Sequence, residues 1–294
     1  MRSESERRRA RRWREEQDFH DRWAASVRVE EIAVLHTFAG VTDPENRCAL
    51  LMLGDLGGQR VLDLGCGFGA ASVFFALRGA WVVGVDISQM MLCRARSVAD
   101  RCRIGGRFQP CRAAAEFLPL RSDSFDLVYG YGILHHADLR LALQEVRRVL
   151  RPGGRAVLVE PLGVNPVVNI YRLLSRDVRT SGERPLMPRD LRTIASVFPR
   201  FQHREVQLLS LLIHVWMALT GRFRLKTDRP WKMILDQWRR YAPVFALLQR
   251  LDSWLLRMVP PLGLLSWATV LVMDRPHAKT EPAPCADELQ QTRA

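Results

Sequence analysis

The stretch Val61-Leu62-Asp63-Leu64-Gly65-Cys66-Gly67-Phe68-Gly69-Ala70 decides how the rest of this 294-residue chain is read. The apolar residues ahead of Gly65 predict a buried parallel strand. The alternating glycines predict a turn where backbone can approach a ligand. Ala71-Ser72-Val73-Phe74-Phe75-Ala76-Leu77 then predicts a helix. Strand, glycine turn and helix N-terminus together make a nucleotide-type pocket.

Two cofactor classes share that pattern, because Gly65, Gly67 and Ala70 also satisfy the dinucleotide fingerprint. Two acids separate them. Asp63 sits two residues before the first glycine, where a carboxylate repels a pyrophosphate and attracts an ammonium or sulfonium. Asp86 ends Trp81-Val82-Val83-Gly84-Val85, about 20 residues past the glycines, the spacing of an acid that holds ribose hydroxyls.

Further stretches follow in order: Val85-Asp86-Ile87-Ser88, Ala115-Glu116-Phe117-Leu118-Pro119, Ser124-Phe125-Asp126-Leu127-Val128, Leu134-His135-His136 and Leu150-Arg151-Pro152-Gly153-Gly154. With the glycine motif they resemble class I S-adenosylmethionine (SAM) methyltransferases of the small-molecule type. Pro44-Glu45-Asn46-Arg47 and Glu160-Pro161-Leu162-Gly163-Val164-Asn165-Pro166 resemble the bacterial type-11 subgroup. The resemblance implies a Rossmann-like α/β fold: a seven-stranded, mostly parallel sheet in the order 3-2-1-4-5-7-6, helices on both faces and helical lid insertions.

It also implies roles. Gly65, Cys66, Gly67 and Gly69 would cradle the methionine half of SAM, and Asp63 its ammonium. Asp86 would accept from both ribose hydroxyls. Ala115 and Glu116 would sit at the adenine edge, Ile87 and Met91 against the ring, and Gly130 near the methyl. The family often has aspartate where Ala114 stands, so one adenine contact is in doubt.

Methyl transfer needs the acceptor, the methyl and the sulfur in line, and positioning supplies much of the rate. An acceptor hydroxyl of high pKa also needs a base. Tyr131, His135 and His136, after the fourth strand, are the candidates. Imidazole titrates near neutrality, although a histidine here can equally be a local structural group. Loops beyond the strand ends bind acceptors, so Glu160, Asn165, Tyr171, Arg172 and Arg179 are candidate substrate contacts suited to a polar or anionic headgroup. A lid held by its own hydrogen bonds would use the same residues.

The elements alternate as a parallel α/β sheet requires. Strands are expected near 60–64, 81–86, 107–111, 125–130 and 155–160, with a sixth at 206–212 and a last at 266–273. Helices are expected near 69–79, 88–102, 138–149 and 188–197. Asp43 caps a further helix, with Pro44 at its first position. This divides the chain into a helical extension (1–58), a methyltransferase domain (59–275) with lids at 161–200 and 213–263, and a disordered tail (276–294).

The net charge is +13, and all but three of the basic residues are arginine. That permits anionic lipid, acidic substrate or nucleic acid as partner. Nucleic acid is disfavoured, since Gly130-Tyr131-Gly132-Ile133 lacks the Asp/Asn-Pro-Pro-aromatic run of amino-methylating enzymes and offers no nucleophilic cysteine. Asp63 and Arg151-Pro152-Gly153-Gly154 argue against an NAD oxidoreductase. A non-catalytic SAM-binding module is the remaining alternative. The six cysteines include no C-x-x-C pair, so no metal site is expected, and a reducing, cytoplasmic setting fits.

The run Arg7, Arg8, Arg9, Arg11, Arg12 and Arg14 ahead of Trp13, Phe19 and Trp23 reads as a charged helix over 1–30. It suits either a solvated face that partly covers the fold or a peripheral contact with an anionic membrane. Residues 206–221 are too short for a membrane span, and 254–273 are broken by Arg257, Pro260 and Pro261. The two stretches are therefore expected to be a sheet strand plus lid helices, with a monotopic lid that dips into a bilayer as the alternative. The expected acceptor is a small or lipid-like molecule, methylated at oxygen or nitrogen.

Overall fold

The computed structural model describes residues 4–40, 42–175, 179–180, 182–222 and 238–277. One seven-stranded sheet organises them, in the order β3-β2-β1-β4-β5-β7-β6. The strands are β1 (Arg60–Leu64), β2 (Trp81–Asp86), β3 (Phe108–Arg112), β4 (Phe125–Tyr131), β5 (Leu150–Pro161), β6 (Phe201–Val206) and β7 (Ala268–Asp274). β1 to β5 run parallel, and β7 enters antiparallel between β5 and β6. This is the fold and strand order that the resemblance implies.

The inner strands β1, β4, β5 and β7 are buried on both faces, so they are largely apolar and successive residues serve opposite cores. Val61, Val82, Tyr129 and Val157 meet Phe74 and Phe75 on one side. Leu62, Leu64, Val128 and Leu158 meet Leu143, Val146 and Ile194 on the other. Each such side chain contributes roughly 1.5–3 kcal/mol. The helices that cover these faces are α4 (Ala70–Leu77), α5 (Gln89–Arg101), α6 (Leu139–Val149) and α8 (Asp190–Val197). Ser88 caps α5 by accepting from the Met91 amide at 3.0 Å, and Asp138 caps α6 through Leu141 at 3.2 Å.

The remaining helices build walls around the C-terminal ends of the strands. They are α1 (Glu4–Ser26), the short α2 (His36–Ala39), α3 (Pro44–Leu53), α7 (Pro166–Leu174), α9 (Leu211–Leu219) and α10 (Trp238–Met258). α3 begins on Pro44 behind the Asp43 cap, where the sequence places it.

The sixth strand is a correction. The sequence puts it at 206–212, but β6 ends at Val206 and Gln207 follows with φ +64°. β6 is an edge strand with exposed residues at 202–204, so it carries no apolar run to betray it. The apolar run belongs to α9, which turns Leu211, Ile213 and Met217 inward. Part of the expected lid (223–237) and all of the expected tail except Pro276 and His277 lie outside the described residues.

Candidate active site

A cavity of about 800 Å³ opens over the C-terminal ends of β1, β2, β4 and β5, the position that parallel α/β sheets reserve for ligands. Its size is that of a site for a cofactor-sized ligand.

The glycine turn forms one wall, and the backbone amides of Gly65, Cys66, Gly67 and Gly69 are already committed. The amides of Gly65 and Cys66 both donate to the Val85 carbonyl, at 2.8 and 2.9 Å. That of Gly67 donates to Asp86 Oδ2 at 2.9 Å, and that of Gly69 to the Cys66 carbonyl at 2.8 Å. A dinucleotide turn points such donors at a pyrophosphate. Here they bind the protein itself, and two carboxyls face the cavity in their place.

Asp63 is buried and accepts from the Ser72 hydroxyl at 2.5 Å. Burial, with Asp86 adding repulsion, raises its pKa to about 7. Asp86 accepts from Gly67 on one oxygen and from the Ser88 amide on the other, at 2.8 Å. One lone pair remains on each oxygen, enough for a vicinal diol. Burial raises this carboxyl as well. Two desolvated acids side by side favour a cation, so the residues fit the ammonium, sulfonium and ribose of SAM. Gly67, at φ +50°, has open space where a Cβ would stand, so cofactor can lie against its backbone. Ile87, Met91 and Ala115 line the same half of the cavity.

Three expected contacts are not brought to the cavity. Gly69 is packing: at φ +75°, a Cβ there would stand 2.7 Å from the Ala95 Cβ, so its role is to let α4 and α5 approach. Gly130 lies beneath the surface, where a Cβ would meet Leu158 at 2.9 Å. Asn165 caps α7 through the amides of Val167 and Val168 and donates to the Leu265 carbonyl.

Glu116 and Glu160 reach the cavity with their oxygens engaged. Glu116 accepts from the Asp138 amide at 3.0 Å, from Trp13 Nε1 at 3.3 Å and from Arg12. Glu160 has no solvent exposure and accepts from the amides of Ile133 (2.9 Å) and Leu134 (2.7 Å). Its Oε2 lies 2.8 Å from His135 Nδ1. A carboxylate only accepts, so Nδ1 carries the proton and Nε2 keeps a lone pair. Burial, with His136 beside it, lowers the His135 pKa despite Glu160, which keeps the ring neutral at neutral pH.

His136 is in the opposite state. Burial disfavours its charge, but the Glu16 carboxylate 3.0 Å from Nδ1 prevails and raises its pKa. Glu16 in turn is held to about 2: hydrogen bonds from His136 and His20 overcome its burial. Of the two neighbouring histidines, then, His135 is held towards its neutral form, and Glu16 of α1 shifts His136 towards its protonated one.

The sequence reading missed α1 as a wall of this site. Trp13, Glu16, His20 and Trp23 all line the cavity. Trp13 packs edge-on against Phe117 and Trp23 against Phe68, at centroid distances of 5.7 and 5.3 Å. Asp21 fastens the helix to the Ser88 hydroxyl and to the Met90 amide at 3.1 Å. The α1 tryptophans, which the sequence leaves to either a face that partly covers the fold or a membrane contact, therefore point into the protein. The signal was present, since positions 13, 16, 20 and 23 recur at three and four residues and share one helix face. The charged stripe beside them concealed it.

The far half of the cavity mixes polar groups with an apolar wall. Tyr131 donates to Glu45 at 3.0 Å, and Gln207 also donates to that carboxylate. Burial raises the Tyr131 phenol well above its ordinary value, with Glu45 and Asp43 adding to the effect. Arg172 donates to the Leu162 carbonyl at 2.9 Å, and burial lowers its pKa to about 10. Arg179 pairs with Glu183. Tyr171, Phe245, Trp267 and His214, which stacks on Trp267 at 6.0 Å, complete the wall.

Residues 62–158 match the family model described as "Methyltransferase domain". The demethylmenaquinone methyltransferase of Clavibacter sepedonicus is 41% identical over 106 residues, 35% of this chain and 41% of that one. The ubiquinone/menaquinone biosynthesis C-methyltransferase of Syntrophotalea carbinolica is 39% identical over 127 residues, 42% of this chain and 53% of that one. The chain thus spans about half the length of these curated relatives. The Haloferax volcanii chain solved with the Trm112 methyltransferase activator superposes with a TM-score of 0.58 at 19% identity, covering 90% of this chain and 98% of that one, and so shares the fold. Residues 62–158 are thus similar to the methyltransferase domain of type-11 class I SAM-dependent methyltransferases.

Proposed function

We propose that the protein transfers a methyl group from SAM to a ring carbon of a hydroxyl-bearing, lipid-like acceptor such as a quinol. The observation that carries this reading is His135, whose Nδ1 is held by the buried Glu160 and which lines the same cavity as Asp63 and Asp86. Asp63 and Asp86 bind the ammonium and the ribose. Bound SAM supplies an already activated methyl group. His135 Nε2 removes the acceptor's hydroxyl proton, and the negative charge spreads to the ring carbon. That carbon takes the methyl as the methyl–sulfur bond breaks and S-adenosylhomocysteine leaves. The same carbon then loses its own proton as the imidazolium returns one to the oxygen, restoring the quinol. Glu160 fixes the ring of His135 and stabilises the imidazolium that forms. Tyr131 keeps its proton and orients an acceptor oxygen, while Arg172 and Arg179 face its polar groups.

The relatives' names support the acceptor class and favour carbon over the oxygen or nitrogen expected from the sequence. The apolar wall of Tyr171, Phe245 and Trp267 suits an apolar body attached to the ring. An acceptor of that kind resides in membranes, so the reading includes peripheral contact with an anionic bilayer. No helix among the described residues is long and apolar enough to cross one.

The test is transfer from methyl-labelled SAM to a reduced, short-prenyl naphthoquinone lacking the ring methyl. The label is expected on a ring carbon, and to be lost in His135→Asn while calorimetric SAM binding persists. Undiminished transfer by His135→Asn, or SAM binding without transfer to any quinol, would overturn the reading.

A further inference from the structure

The lid helices have two apolar sides. On the inner side, Ile213 and Met217 of α9 pack with Tyr241 and Phe245 of α10 and with Tyr171 of α7. Tyr171 and Phe245 also face the cavity. On the outer side, α10 exposes Val244, Leu247, Leu251, Trp254 and Met258. These are spaced three, four, three and four residues apart, which places them on one stripe of the helix. Trp254 is 63% exposed. α9 repeats the pattern with Leu212, Trp216 and Leu219, the last 83% exposed, and α7 with Ile170 and Leu173. Single exposed apolar residues are ordinary, but stripes on three helices packed through one cluster are not.

Among the described residues of these helices, the exposed charge has one sign. Arg250 and Arg257, one heptad apart, are exposed along the edge of the α10 stripe. The exposed Arg222, just past α9, lies over the Trp216 ring at 4.6 Å. The only acid in the three helices is Asp252, which is buried and accepts from the amides of Leu208 and Leu209. Apolar stripes with tryptophan, bordered by arginine and free of exposed acid, match the interface of an anionic bilayer.

We infer that the outer faces of α7, α9 and α10 dock the protein on an anionic lipid bilayer, placing the lid between the membrane and the acceptor half of the cavity. This rests on the lipid-like acceptor proposed above, since the same helices would face the acceptor on one side and its source on the other. It also moves the contact away from α1, whose tryptophans are turned inward.

Flotation with phosphatidylcholine vesicles and with phosphatidylcholine–phosphatidylglycerol vesicles tests the inference. The wild type should float with the anionic vesicles and partly detach as salt rises. Leu251→Ser with Trp254→Ser should lower partitioning at least about tenfold. Arg7→Gln with Arg8→Gln and Arg11→Gln on α1 should change it much less. SAM binding by calorimetry reports that each variant is folded. A wild type that stays in solution with both vesicles, or a concentration-dependent dimer dissociated by the α10 substitutions, would overturn the inference. Flotation without SAM binding would leave the docking surface standing and remove the methyltransferase reading.

Discussion

His135 Nδ1 lies 2.8 Å from Oε2 of Glu160, a carboxylate without solvent exposure whose other contacts are backbone amides of the same turn. That pairing fixes the tautomer and leaves Nε2 as the basic atom. Removing the base by His135→Asn should lower kcat by about 10²–10⁴. With the wild type, kcat should rise with pH through the lowered His135 pKa, below 6.5, and then level off. Glu160→Gln keeps an acceptor but removes the charge, so its pH profile should shift to lower pH, which a purely structural role would not cause.

Asp63 predicts how cofactor affinity depends on pH. Its carboxyl titrates at about 7, raised first by burial and then by Asp86. An ammonium binds the ionised form, so SAM affinity should fall as pH drops below about 7, up to tenfold per unit. Asp63→Asn should weaken binding roughly ten- to hundredfold and abolish this dependence. Calorimetry between pH 5.5 and 8.5 measures both.

The Glu16–His136 pair should govern the closure of α1. The Glu16 pKa is depressed to about 2, so its contribution is complete above about 4.5 and is lost as pH falls towards 2. The His136 pKa is raised, so its contribution is complete below about 6.5 and is lost as pH rises through the raised value. Hydrogen exchange in α1 should therefore be slowest between these limits. Glu16→Gln should speed it by the equivalent of about 1–3 kcal/mol, with Trp13 and Trp23 fluorescence changing in parallel.

Gly69 should be a stability position, not a cofactor contact. Alanine there meets both a left-handed backbone and the Ala95 Cβ at 2.7 Å. Gly69→Ala should cost about 2–5 kcal/mol in denaturant unfolding. Gly67→Ala, with open space, should retain more stability and instead weaken SAM binding.

The cofactor half was legible because its chemistry is local. Asp63, the glycines and Asp86 are carried by one strand–turn–helix–strand unit, and parallel pairing of β1 with β2 brings the two acids together. Glu160 is different: its partners are the turn after β4, some 25 residues away, so its engagement appears only once β4 and β5 pair. The β6 error has a similar origin, because a half-exposed edge strand leaves little apolar pattern beside the strongly apolar α9. α1 was visible as a helix, but the arginines on its outer face drew the eye from the Trp13, Glu16, His20 and Trp23 face that closes the cavity. The outer stripes of α7, α9 and α10 emerge only when the inner residues of those helices are known.

The cofactor site is the claim on which the rest depends, and calorimetry of SAM with the wild type at pH 8 tests it most directly. One SAM per chain should bind, in competition with S-adenosylhomocysteine, and Asp86→Ala should remove the heat while the protein stays folded. No heat from the wild type, or equal heat from Asp86→Ala, would contradict the account.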